Sequence, residues 1–215
     1  MIKMNSHTEF EYVWHSNVYA THQPFLEAYV RSTSGDVLEF GTGDGSTGLL
    51  RHILAGTGRK LVSIEDNIEW LEKMKQLYPE SSEHTYIYLE RRDDASHWKD
   101  FLRSYQHTRK VSVVFIDQSP WEARLWTLSH FLKKSEYCII HDADYYCKTT
   151  YSPGMLCYLT DPNLPWTDEN RYGFNLDNYK LYFPPAPWNE SRHGPPTLVI
   201  SDIGCPIIKY MDILF

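Results

Sequence analysis

The sequence has few cysteines, no long apolar run and no excess of basic residues, and each of these absences argues against a class of protein. Only four cysteines occur in 215 residues and none forms a C-x-x-C pair, which argues against a zinc site and favours reduced thiols. No apolar run is long enough to span a membrane and the first residues lack the apolar region of a signal peptide, so we expect a cytoplasmic protein without a membrane partner. Basic residues number 21 against 28 acidic ones, and the net charge of −7 argues against general nucleic-acid binding.

The composition favours one domain with a substantial core. Hydrophobic residues make up 42% of the chain, and 215 residues suit a single domain. We divide it into an N-terminal cover and helix (1–35), a central core (36–144), and substrate-side loops with closing strands (145–215). Aromatic residues are dense in the last third, where they either line a substrate cleft or pack under long loops. No pattern specifies an oligomeric state.

A glycine-rich stretch lies between the first predicted strand and the helix that follows it. Val37 and Leu38 form a short apolar run, and glycines at 41, 43 and 45 then alternate before a helical pattern begins. A strand, a glycine turn and a helix leave free backbone N–H groups at the helix start and let a ligand approach the main chain closely. We therefore expect a ligand at this turn, although a plain glycine turn would have the same pattern.

Two classes of ligand compete for the turn. Gly43, Gly45 and Gly48 fit the dinucleotide pattern G-x-G-x-x-G. Gly43 comes two residues after Gly41, however, and the carboxylate of Glu39 would lie close to a pyrophosphate. S-adenosylmethionine (SAM) carries a sulfonium and an ammonium group instead, for which nearby acids are favourable. Glu39 with the alternating glycines resembles motif I of the class I SAM-dependent methyltransferases, and the resemblance extends over roughly residues 36–142.

Apolar periodicity predicts a regular alternation of strands and helices after this turn. Further strands are predicted at Lys60–Ile64, Thr85–Leu89, Val111–Ile116, Glu136–Ile140, Tyr179–Phe183, Thr197–Ser201 and Pro206–Tyr210, with helices at Ile68–Tyr78, Trp98–Tyr105 and Trp121–Lys133. We predict an α/β, Rossmann-like, doubly wound and mostly parallel seven-stranded sheet with helices on both faces. The resemblance implies that the last strand is antiparallel.

The same resemblance implies which residues hold SAM. Glu65 ends strand two about 20 residues beyond the glycines, where such folds place an acid that accepts both ribose hydroxyls. Asp94, followed by Ala95, matches the acid that binds the adenine amino group, caps the next helix, or does both. Asp66 we expect to cap its own helix together with Asn67. The predicted cofactor-binding residues are Glu39, Gly41, Gly43, Gly45, Ser46, Glu65, Asp94, Ala95 and Asp117.

A second polar cluster is predicted where strands four and five end. Asp117 follows strand four, and His141, Asp142 and Asp144 follow strand five, so these side chains would face one crevice of a parallel sheet. Two mechanisms fit. Either Asp117, Asp142 and Asp144 hold Mg²⁺ or another divalent cation that activates a bound hydroxyl, or His141, alone or with Asp142, acts as general base. The predicted catalytic residues are Asp117, His141 and Asp142.

The cluster resembles the metal-dependent O-methyltransferases of the catechol and macrolide-sugar types, which place metal-binding acids at these strand ends. The catechol type has an Asp-Asn pair after strand five, whereas Ala143 stands here in place of the asparagine, so Asp144 or His141 would have to supply the third ligand. Arg124 falls near the first turn of the following helix and either points back at the crevice or lies in solvent. Upstream of strand one, Tyr19, Thr21 and His22 either line the site or form a solvated loop and helix cap.

The sequence therefore predicts a SAM-dependent methyltransferase that methylates an oxygen of a small molecule or sugar. Two alternatives remain open at this point. One is an NAD-linked oxidoreductase on the same fold, and the other is a protein that binds SAM without catalysis. The polar cluster at strands four and five favours catalysis, because a purely structural protein would have little use for it.

Overall fold

The computed structural model describes residues 20–143, 179–182 and 195–205. The helices in these ranges are α1 (Gln23–Arg31), α2 (Thr47–Leu54), α3 (Ile68–Leu77), α4 (Ser96–Ser104) and α5 (Trp121–Phe131). The strands are β1 (Asp36–Phe40), β2 (Leu61–Glu65), β3 (His84–Tyr88), β4 (Val111–Ile116), β5 (Ser135–Ile140), β6 (Tyr179–Tyr182) and β7 (Thr197–Ile200). None of these five helices has the length and apolar character needed to cross a bilayer.

All seven strands form one sheet in the order β3-β2-β1-β4-β5-β7-β6. Neighbours among β1 to β5 pair in parallel. The inserted strand β7 runs antiparallel to both β5 and β6. The predicted mostly parallel seven-stranded sheet with an antiparallel last strand is therefore confirmed. Because β1, β2, β4 and β5 are parallel, their carboxyl ends meet at one edge, where α/β folds bind ligands.

The central strands β1 and β4 are buried at every position, because helices cover both faces of the sheet. Side chains that alternate along each strand enter two separate cores. Leu38 and Ile116 pack with Trp98 of α4 on one face. Val37 and Phe115 pack with helices α1 and α2 on the other. Helices on both faces, as predicted from the sequence, are thus observed.

Two helix starts differ in detail from the prediction. Asn67 alone caps α3, accepting a hydrogen bond from the Trp70 N–H at 3.1 Å, while the neighbouring Asp66 binds other partners. Helix α4 begins at Ser96, two residues earlier than predicted, and Ala95 rather than Asp94 occupies its N-cap position, although the Asp94 carboxylate accepts the Ser96 N–H at 3.0 Å. The strand predicted at Pro206–Tyr210 and most of the aromatic-rich stretch lie outside the described residues.

Candidate cofactor and acceptor site

The glycine turn links β1 to α2 at the carboxyl edge of the sheet. Gly41 has a φ of +83°, and a Cβ added there would lie 2.8 Å from the backbone of Asp117 and Gln118. Both the left-handed backbone and the close approach of the chain just after β4 therefore require glycine at this position. The role of Gly41 is thus explained by contacts within the protein, without a ligand.

Gly43 meets no such requirement from the described residues around it. Among those residues, a Cβ added at Gly43 would meet only the Ser46 hydroxyl oxygen, at an ordinary contact distance of 3.8 Å. Its backbone is also not in the left-handed region, which Gly41 does occupy. A glycine that neither backbone conformation nor packing explains leaves room for a ligand to touch the main chain.

Glu39 lies beneath the turn and is completely buried. Its carboxylate accepts hydrogen bonds from the hydroxyls of Ser46 at 2.6 Å, Thr47 at 2.9 Å and Ser63 at 2.5 Å. Burial raises the pKa of Glu39 to about 7, because these three hydroxyls only partly offset the loss of water. Glu39 thus holds the start of α2 against β2, and the Ser46 hydroxyl points down to it rather than into the crevice.

Glu65 ends β2 beside the turn, as the ribose-binding hypothesis requires. One carboxylate oxygen accepts the backbone N–H and the hydroxyl of Thr42, each at 2.9 Å. The other accepts the N–H groups of Asp66 and Asn67, at 3.0 and 2.9 Å. These four bonds orient the carboxylate, and a ribose would have to replace the Thr42 hydroxyl to bind it. Burial raises the pKa of Glu65 despite these donors.

Asp66 anchors the loop that follows β3. Its buried carboxylate pairs with the Arg91 guanidinium at 2.8 and 3.0 Å and with His97 Nε2 at 3.0 Å. This pairing holds the segment between β3 and α4 against the end of β2. Within that segment Asp94 is exposed, and Ala95 is buried with a positive φ of 56°. Asp94 and Ala95, which the sequence predicts to bind the adenine of SAM, therefore lie on a loop that Asp66 positions.

Asp117, His141 and Asp142 come together at the ends of β4 and β5, as predicted. His141 Nδ1 lies 3.2 Å from Asp117 Oδ2 and 3.5 Å from Asp142 Oδ1. One donor atom from each residue lies within 4.8 Å of the others, a spacing that one metal ion could span. Asp144, the third predicted metal ligand, lies outside the described residues.

The contacts of His141 indicate an imidazolium. Nδ1 faces two carboxylates, which only accept, so Nδ1 carries a proton. Nε2 lies 3.4 Å from the Thr21 hydroxyl, whose own hydrogen points to the Pro195 carbonyl oxygen at 2.8 Å, so Nε2 also donates. Burial alone would lower the pKa of His141, but Asp117 and then Asp142 outweigh it and raise the pKa.

Arg124 points inward, which resolves the alternative that the sequence left open. Its side chain is only 8% exposed, and Nη2 lies 3.0 Å from Asp117 Oδ1 and 3.9 Å from Asp142 Oδ2. The same guanidinium donates to the backbone carbonyls of Gln118, His141 and Asp117, at 2.8, 2.6 and 3.2 Å. Arg124 therefore joins the ends of β4 and β5. Burial would raise the pKa of Asp117, but His141 and Arg124 hold it below its ordinary value.

His22 lies between the glycine turn and His141. Its ring is 4.3 Å from the His141 ring, centroid to centroid, and a Cβ added at Gly45 would lie 3.2 Å from its Cε1. It is 2% exposed, yet neither ring nitrogen makes a hydrogen bond of normal geometry with the described residues. Burial, and then the charge of His141, hold the pKa of His22 well below its ordinary value. Thr21 and His22 thus belong to the site, and Tyr19 lies outside the described residues.

Several residues of this site were not found from the sequence. Thr42, Ser63, Arg91 and His97 support the predicted acids through contacts between residues 23 to 31 positions apart in the chain. No local pattern signals such partners, since each pairing depends on how neighbouring strands align. Glycine, acid and histidine positions were found because they follow strand ends, which periodicity does predict.

Of the comparisons with known proteins, only the comparison with solved structures found matches. No protein-family model matches the sequence, and no curated protein matches it. The structure is similar to the O-methyltransferase TomG from Streptomyces achromogenes, which is involved in tomaymycin synthesis and was solved in complex with SAM. The identity is 16%, the TM-score is 0.52, and the match covers 86% of this chain and 87% of that one.

Two further structures match with lower TM-scores. An rRNA methylase from Streptococcus thermophilus is 15% identical with a TM-score of 0.45, covering 82% of this chain and 90% of that one. A putative caffeoyl-CoA O-methyltransferase from Staphylococcus aureus is 11% identical with a TM-score of 0.46, covering 82% and 80%. The described fold is that of the class I SAM-dependent methyltransferases. At such low identity the likeness shows the fold, and function has to be argued from the site.

Proposed function

We propose that this chain is a SAM-dependent methyltransferase acting on an oxygen of a small molecule or sugar. The observation that carries the proposal is Gly43, whose missing side chain leaves the main chain of the turn open to a ligand. Glu65 lies beside the same turn, already oriented by four N–H and O–H donors. The TomG structure, of the same fold, was solved with SAM, which makes SAM the ligand to test first.

The charges around the turn favour SAM over a dinucleotide. Glu65 brings a carboxylate to the turn, and the carboxyl group of Glu39 lies beneath it, whereas Asp117 and Asp142 are paired with Arg124 and His141. An acid beside the turn attracts a sulfonium or an ammonium group and repels a pyrophosphate. We therefore rank the NAD-linked oxidoreductase second.

The acceptor would bind beside the Asp117, His141 and Asp142 cluster. Methyl transfer from SAM is an in-line displacement, and an attacking hydroxyl has to lose its proton. Asp142 is the most exposed member of the cluster, at 34%. Its carboxylate would accept the proton of the acceptor hydroxyl, and His141 would hold that carboxylate in place. SAM supplies the activated methyl group; the residues of this chain orient the acceptor and receive its proton.

The test uses isothermal titration with S-adenosylhomocysteine, the product of methyl transfer from SAM, and compares the wild type with Gly43→Ala. The methyl group added at Gly43 fits the ligand-free protein, so we expect an unchanged melting temperature and at least tenfold weaker binding. Equal affinity in the two proteins, at equal stability, would contradict the proposal that the ligand binds at the Gly43 turn. Transfer of a labelled methyl group from SAM to a panel of sugars and phenols then identifies the acceptor class.

Catalysis is tested separately from binding. Asp142→Asn should bind S-adenosylhomocysteine like the wild type and lose most of the methyl transfer, typically by a factor of about 10² or more for a lost general base. If no acceptor is methylated although the homocysteine product binds, the non-catalytic SAM-binding alternative gains support.

A further inference from the structure

The cluster of Asp117, His141 and Asp142 has the donor atoms of a metal site but also contains its own cation. Three donor atoms lie within 4.8 Å of one another, as one ion would require. The Arg124 guanidinium, however, lies against both carboxylates, at 3.0 Å from Asp117 and 3.9 Å from Asp142. A divalent ion bound by those oxygens would lie beside a permanent positive charge.

Arg124 is held in this position from several sides. Three backbone carbonyls, from Gln118, His141 and Asp117, accept its N–H groups. The Trp121 ring packs against the guanidinium, with the ring centroid 4.5 Å from its central carbon. The side chain is almost completely buried, so it cannot swing into solvent to admit an ion without breaking all of these contacts.

Both carboxylates of the cluster are already engaged by the described residues. Arg124 lies against Asp117 and Asp142, and His141 Nδ1 lies 3.2 Å from Asp117 and 3.5 Å from Asp142. A divalent ion between those oxygens would have to displace Arg124. These contacts therefore do not fit a metal, although the spacing of the donor atoms would allow one.

We propose that Arg124 takes the place of a divalent cation, so that this site holds its carboxylates with an internal guanidinium and works without a metal. The statement that the reaction needs no metal rests on the proposed function. The statement that the site does not bind a divalent ion rests only on the contacts of Arg124. Arg124 is a positioning residue here: it fixes Asp117 and Asp142, which face the crevice, and does not itself need to touch the acceptor.

The test measures Mn²⁺ binding to the full-length protein by electron paramagnetic resonance, with and without S-adenosylhomocysteine. We expect no stoichiometric Mn²⁺ on the wild type, and methyl transfer that keeps its rate within twofold in excess EDTA. Arg124→Gln, which removes the charge and keeps hydrogen-bonding groups, should gain one Mn²⁺ site. The double variant Arg124→Gln with Asp117→Asn should lose that site again, which locates it.

Each outcome bears on the inference. A wild type that binds one Mn²⁺ ion, lost in Asp142→Asn, would overturn it, and so would activity abolished by EDTA and restored by Mn²⁺. A folded Arg124→Gln variant that gains no ion would also count against it. If Arg124→Gln does not fold, the wild-type and Asp142→Asn measurements still decide. Binding of S-adenosylhomocysteine to the wild type is scored separately: its absence would overturn the proposed function and leave the metal result standing.

Discussion

Glutamine in place of Glu39 should remove a strong pH dependence from the stability of the ligand-free protein. Burial raises the pKa of this carboxyl group from 4.5 to about 7 in the native state. The protonated form is therefore favoured by folding, and the stability that it contributes is complete below about pH 4.5 and is lost as the pH rises through about 7. Glutamine keeps the shape and never ionises.

The magnitude follows from the shift in the pKa. Each pKa unit corresponds to about 1.4 kcal/mol, so ionising Glu39 should lower the free energy of unfolding by about 2 to 3 kcal/mol between about pH 5 and about pH 8. Glu39→Gln lacks this loss. Its rearranged hydrogen bonds to Ser46, Thr47 and Ser63 add only a constant offset, because those hydroxyls do not titrate in this range.

Urea denaturation at four pH values between about 5 and 8 measures the effect. The difference in unfolding free energy between Glu39→Gln and the wild type should move in favour of the variant by about 2 to 3 kcal/mol over that range. Glu90→Gln is the control, because Glu90 is exposed, and its profile should run parallel to the wild type. Parallel profiles for Glu39→Gln as well would refute the reasoning.

Three other substitutions test separate contacts. Gly41→Ala should lower the free energy of unfolding by roughly 1–3 kcal/mol, because Gly41 has a positive φ and the added Cβ would lie 2.8 Å from the backbone of Asp117 and Gln118; an unchanged urea midpoint would contradict this. Asp117→Asn should shift the NMR titration of His141 to lower pH, because the carboxylate that favours the imidazolium is gone; an unmoved or raised midpoint would contradict the assigned contacts. His22→Phe should raise the ligand-free melting temperature, since the buried imidazole has no well-formed hydrogen bond to the described residues and an unsatisfied buried polar group costs about 1–3 kcal/mol; a large drop would show that His22 has a partner.

The sequence predicted most of the fold because apolar runs mark strands and glycine marks the turn between them. Strand β4 was predicted with its observed bounds, Val111–Ile116, since a largely apolar run there is flanked by polar residues, and the structure buries all six of its residues. The parallel arrangement then placed Asp117 beside His141 and Asp142, because neighbouring parallel strands end at the same edge. These are consequences of chain geometry that need no side-chain detail.

The roles of individual side chains could not be predicted in the same way. The direction of Arg124 depends on carbonyl groups at the ends of two strands, which align only once the sheet has formed. Asp66 looked like a helix cap from its position, but Arg91 of the loop after β3 and His97 of the first turn of α4 bind it instead. Local spacing ranks such residues as candidates, and long-range packing decides what they contact.

The most direct test of the account is isothermal titration of the purified full-length protein with S-adenosylhomocysteine, with NADH as the parallel titrant. We expect one site for S-adenosylhomocysteine and no binding of NADH, because the described residues leave the turn at Gly43 open to a ligand and place the Glu65 carboxylate beside it. Binding of NADH without any binding of S-adenosylhomocysteine would contradict the account and would assign Glu65 to the ribose of a dinucleotide.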